Sequence, residues 1–163
     1  VARQAPTEPP TGGAQLTTAW RDYLAGIGDG YGVSDGSTAP PGRIGQFDIV
    51  AGGPISLTSN VLTNIVSMGV TAGDYEAWGN IQFTPTGAAV PTVVLAGVGI
   101  ASGVATDYAQ IAATMPSLQL QRLPTPVVRF NLDENGILYL IGRSVFTGGA
   151  LSAVGTLSVR RIR

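Results

Sequence analysis

Cysteine, histidine and lysine are all absent from this chain of 163 residues. Without cysteine there is no disulfide, no thiolate zinc site and no sulfur nucleophile. Without histidine there is no Ser-His-Asp triad, no imidazole-bound metal and no ordinary general base near neutral pH. Without lysine no Walker A phosphate loop can be written. Charge of either sign is scarce: charged residues are 12% of the chain, about half the roughly 25% of a typical soluble domain. Nine arginines against ten carboxylates leave a net charge of −1, so no basic field draws the chain to nucleic acid or to an anionic membrane. No apolar run reaches the ~18 residues of a membrane span, and no basic-then-apolar signal pattern opens the sequence.

What is present is apolar and turn-rich. Hydrophobic residues make up 44% of the sequence and the mean hydropathy is +0.27, while 23 glycines and 11 prolines punctuate the chain. A small monomer needs surface charge to stay soluble. Here Thr, Ser, Asn, Gln and Gly carry most of the polar surface, so much of that surface is expected to be covered in an assembly, as obligate interfaces resemble a domain core cut in half. The length suits one domain with a sizeable core.

Residues 1–43 read as an anchor and residues 44–163 as a β-domain. Residues 1–15 hold Pro6, Pro9 and Pro10 and lack apolar periodicity, which predicts an extended arm that orders on a neighbour. Trp20, Tyr23, Leu24 and Ile27 fall on one face of a short helix that Thr18 could cap. Such a helix is too short to persist alone, so this face must dock on the chain's own sheet or on a partner. The Gly/Asp/Ser/Pro loop after it carries Asp29 and Asp35 without the spacing of a calcium loop, and Asx-turns explain it.

From residue 44 onward the sequence reads as strands: Arg43–Val50, Ile55–Thr58, Asn60–Met68, Asp74–Thr84, Thr92–Ala101, Asp107–Thr114, Leu118–Leu123, Val127–Asn131, Ile137–Phe146 and Ala150–Arg161. Tyr75, Ala77, Gly79, Ile81 and Phe83 alternate with Glu76, Trp78, Asn80 and Gln82. Leu151, Ala153, Gly155, Leu157 and Val159 share one face of the last strand. Residues 133–136 and 147–149 read as hairpin turns. Ten candidates, about eight of them full strands, predict an all-β, jelly-roll-like two-sheet sandwich with an N-terminal extended arm and one short helix, in preference to a seven-stranded immunoglobulin sandwich.

No catalytic, cofactor-binding or metal-ligating constellation emerges, and the chain is read as a non-enzyme without cofactors. Asp74 and Glu76 share a strand face, yet a glycosidase pair needs a cleft between its carboxyls. Residues 97–103 lack the following helix of a dinucleotide site. The terminal Arg160, Arg161 and Arg163 either block an edge or pair with carboxylates of a neighbouring subunit. Trp78, with Tyr31, is the alternative candidate: a stacking platform for a glycan.

Three segments together resemble small virion structural proteins of tailed bacteriophages. Residues 55–85 look like their strand–turn–strand unit, in which a Ser/Thr-rich strand leads through Ala72-Gly73-Asp74-Tyr75 into an alternating strand ending in Phe83. Residues 138–163 look like their closing Tyr-Leu strand, glycine turn and Arg-rich end. The Trp-containing helix after a Pro-rich arm is similar too. The resemblance implies a sandwich or jelly-roll subunit, without enzymatic activity, that forms a homo-oligomer, expected to be a trimer, on the virion. It also implies a capsid decoration, cement or head-fibre role, the major capsid protein or another virion protein as partner, and assembly in the host bacterial cytoplasm. The alternative is a tail-fibre or receptor-binding module for host glycan. Deleting residues 1–27 is expected to leave a folded domain that no longer binds particles.

Overall fold

The computed structural model describes residues 39, 43–104, 110–114 and 119–162. The expected arm, the helix at residues 17–27, Tyr31 and Arg163 lie outside the described residues. Nine strands follow in chain order: β1 (Phe47–Leu57), β2 (Thr63–Val70), β3 (Gly73–Thr86), β4 (Val90–Gly99), β5 (Gln110–Thr114), β6 (Gln121–Pro124), β7 (Val128–Leu132), β8 (Gly136–Thr147) and β9 (Ala150–Arg161). They form two antiparallel sheets. Sheet A runs β1-β9-β3, with β6 and β7 sharing the far edge of β3, and sheet B runs β2-β8-β4-β5. The chain shuttles between the sheets at almost every connection, which is the double Greek key of a jelly roll. The expected all-β two-sheet sandwich is what the described residues form.

The alternation read in β3 and β9 is what builds the core. Ala77, Ile81, Phe83, Ala153 and Leu157 are fully buried, and they meet Val94, Val98, Leu138 and Leu140 of sheet B. Glycine within these strands makes room for larger neighbours. A Cβ on Gly79 would lie 2.5 Å from Leu140 Cδ1 and one on Gly155 2.6 Å from Leu140 Cδ2. Leu140 therefore inserts between two strands of the opposite sheet, a close approach that only a residue without a side chain permits.

Three expectations are corrected here. The segments 43–50 and 55–58 are not separate strands. Residues 47–50 and 55–57 both belong to β1, which continues through a bulge where its register against β9 shifts between Gly52 and Ile55, while residues 43–46 and Thr58 lie outside it. Residues 133–136 and 147–149 are not hairpin turns joining paired strands. β7 and β9 lie in sheet A and β8 in sheet B, so both turns are corners that carry the chain across the sandwich. Turn chemistry signals that a chain reverses, not which sheet it enters. At the second corner Gly148 and Gly149 have φ of 63° and 52°. A Cβ on Gly149 would lie 2.5 Å from Thr86 O, because the corner between β3 and β4 packs against it.

The two ends of the described domain meet. The Gly45 amide donates to Arg161 O at 2.9 Å and the Arg161 amide donates to Gln46 O at 2.8 Å.

Candidate functional site

The two sheets treat solvent differently. On sheet A the outward side chains mix polar residues with half-buried Phe47, Trp78 and Val154 and with Ile49, which is 59% exposed. On sheet B, residues 94–99 of β4 are all buried, and so are Leu140, Ile141 and Gly142 of β8. Val94, Ala96, Val98, Leu138 and Leu140 face the core, so alternation puts Leu95, Gly97, Gly99, Tyr139, Ile141 and Arg143 on the outer face. Leu95 pairs with Arg143, Gly97 with Ile141 and Gly99 with Tyr139 across that face. One charged side chain stands among them. The loop after β4 folds over part of this face: Asn64 Nδ2 donates to Ser102 Oγ at 2.7 Å and the Gly103 amide donates to Asn64 Oδ1 at 2.9 Å. Around it Ile100, Val104 and Ile137 remain 53%, 51% and 46% exposed. These strands read as near-continuous apolar runs, the pattern of a sheet that expects cover on both sides.

The outer face of sheet A is ordered by register into cross-strand rows. Phe47, Arg160, Glu76 and Arg129 form the first, and Ile49, Ser158 and Trp78 the second. Ala51, Thr156, Asn80 and Pro124 form the third, and Val154, Gln82 and Arg122 the fourth. The first row neutralises its own charges. Arg160 pairs with Glu76. Arg129 grips the buried Asp74 with two nitrogens, its Nε donating to Oδ1 at 2.8 Å and its second donor reaching Oδ2. That hydrogen bond, with the charge of Asp74 behind it, raises the Arg129 pKa further above its ordinary value. Each of the two carboxylates on this strand face thus has its own guanidinium, an arrangement that orders the sheet and leaves no proton donor beside a free base.

Arg161 points the other way and ties down the turn between β2 and β3. It donates to Thr71 Oγ1 at 2.8 Å, to the Tyr75 hydroxyl at 2.9 Å and to Ala72 O at 2.9 Å. Its guanidinium carbon stands 5.4 Å from the Tyr75 ring centroid. Of the terminal arginines expected at subunit contacts, Arg160 and Arg161 are thus engaged within the chain. Trp78 is neither core nor free. Its ring stacks on Phe47 at 5.8 Å between centroids and 21° between planes, across β9, where Ser158 is buried.

Beside the long side chains of the fourth row, the small third row leaves a trough. Its volume is about 290 Å³, and Ala51, Asn80, Gln82, Arg122, Val154, Gly155 and Thr156 line it. Sequence reading placed Asn80 and Gln82 on the outward face of β3 but missed the site. Its other members arrive from β1, β6 and β9, which only register brings alongside.

No protein-family model matches the chain, and no curated protein sequence matches it. Solved structures do. One is of infectious bursal disease virus, Gx strain, with 14% identity over 80% of this chain and 36% of that one, at a TM-score of 0.48. Another is the VP2 subviral particle of the same virus, with 14% identity over 80% of this chain and 37% of that one, at a TM-score of 0.46. The chain spans little more than a third of the length of these structures.

Proposed function

We propose that this chain is a non-enzymatic virion structural protein that works by self-association, in the manner of a capsid decoration, cement or head-fibre protein. The observation that carries the reading is the cluster of Ile100, Val104 and Ile137, which stay about half exposed on the sheet B side around a buried apolar outer face. The scarcity of charge and the resemblance of residues 55–85 and 138–163 to phage virion proteins support the same reading. Jelly rolls serve viral capsids and lectins alike, and the fold alone does not choose between them.

The mechanism is burial. Removing apolar area from water gives roughly 25 cal/mol per Å² before association costs, and a standard interface takes roughly 800 Å² from each partner. A second copy of this chain, in a trimer, and the major capsid protein or another virion protein are the partners proposed. Residues 1–43, with Pro6, Pro9, Pro10, Trp20, Tyr23, Leu24 and Ile27, are the proposed anchor. The native mass of the purified full chain tests the reading. An oligomer that copurifies with capsids supports it, and a stable monomer at high concentration overturns it.

A further inference from the structure

We infer that the trough on the outer face of sheet A is a binding site for a short saccharide. The reading does not depend on how the chain assembles, since it concerns the sheet opposite the proposed assembly face. The trough has the chemistry of sugar recognition. Its long polar members are two planar amides, Asn80 and Gln82, and one guanidinium, Arg122, with the Thr156 hydroxyl directly opposite Asn80. Among the described residues no carboxylate lines it.

The donors are already oriented. Arg122 Nε donates to Gln82 Oε1 at 3.0 Å, which fixes the amide so that Gln82 Nε2 and the outer guanidinium nitrogens point away from that bond. The side chains of Asn80 and Thr156 have no hydrogen-bond partner among the described residues. An amide offers both donors and acceptors, and a hydroxyl both donates and accepts. That combination suits the adjacent hydroxyls of a sugar ring, each of which also does both. Ala51 and Gly155 supply the small floor on which a ring can lie.

The aromatic component differs from the sequence expectation. Trp78 is two residues from Asn80 on the same strand face, but its ring is stacked on Phe47 and does not line the trough. Site volumes for small molecules begin at about 300 Å³, and a trough of about 290 Å³ holds one or two rings of a longer chain, whose remaining units stay in solvent.

Isothermal titration of the full chain with maltotriose, mannotriose and sialyllactose is the test, the last probing Arg122 with a carboxylate. At least one should bind with a Kd between about 10 μM and 1 mM. Asn80→Ala and Gln82→Ala should each weaken that binding about tenfold, the loss of one or two hydrogen bonds. Both positions face outward, so neither variant threatens the fold. Thr114→Ala, an exposed change on β5, should leave binding unchanged. Absence of heat with all three sugars at about 10 mM would falsify the proposal. So would equal binding by the Asn80 and Gln82 variants. If either variant instead lowers the native mass without affecting any sugar response, the trough is a contact between copies and the saccharide site is overturned.

Discussion

Asp74 is a buried carboxylate, and burying a charge is unfavourable unless it is paired and hydrogen-bonded. Arg129 meets both requirements through two nitrogens. Arg129→Ala should therefore lower the urea midpoint by a clearly measurable amount. Because the folded-state pKa of Arg129 is raised, its contribution is complete below the unfolded-state pKa and is lost only as pH climbs through the folded one, beyond ordinary alkaline conditions. The destabilisation should thus be the same at about pH 7 and about pH 10, measured by denaturant titration at both. Arg160→Ala breaks a pair that is half exposed on the arginine side and should cost no more than about 1 kcal/mol. Gly79→Ala acts through volume. Its new methyl would press on Leu140 from one side and on Thr156 O, at 2.9 Å, from the other. Leu140 is fully buried and has nowhere to retreat, so a loss of about 1–3 kcal/mol is expected, read from thermal or urea melts.

Among the elements, the split edge of sheet A shows how a proline-rich segment is kept in a sheet. Pro124 ends β6 and Pro126 stands before β7, and neither can donate to the ladder, a role confined to edges. Thr125 closes the seam between them. Its amide donates to Gly79 O at 2.8 Å and its Oγ1 accepts from the Gly79 amide at 2.8 Å. Thr125→Val keeps the shape and removes the acceptor. It leaves a buried N–H unpaired and should cost about 1–3 kcal/mol, with faster hydrogen exchange at Gly79 as the local signature. The strands themselves were legible where one face meets solvent, since β3 and β9 alternate residue by residue. β4 and β8 were legible as strands, but not in their facing, because an apolar run on a sheet covered from both sides has no period to read. The corners at residues 133–136 and 147–149 were legible as turns and misread as hairpins. The trough was half legible. Asn80 and Gln82 announce an outward face, whereas Thr156 and Arg122 reach them through pairings of high sequence separation that no local pattern encodes.

For the whole molecule, the contrast between the sheets sets the expected behaviour. Ile137 is 46% exposed on the sheet B side, so Ile137→Glu should leave thermal stability nearly unchanged while shifting the native mass toward the monomer, as a charge at an apolar interface must be desolvated on association. Sedimentation of both proteins at matched concentration checks it. The adjacency of Gly45 and Arg161 has a different consequence. Because the first and last strands of the sandwich are bonded neighbours, the order in which the polypeptide threads the jelly roll is separable from the shape it makes. A circular permutant that joins residue 162 to residue 43 through a few glycines, and opens at the exposed corner of residues 133–135, should fold to the same sandwich. Its new ends would emerge beside the old junction, on the rim where Leu132 pairs with Gly73 and Arg161 with Tyr75, so a peptide displayed there would stay on the side of the sandwich from which the natural chain enters and leaves it.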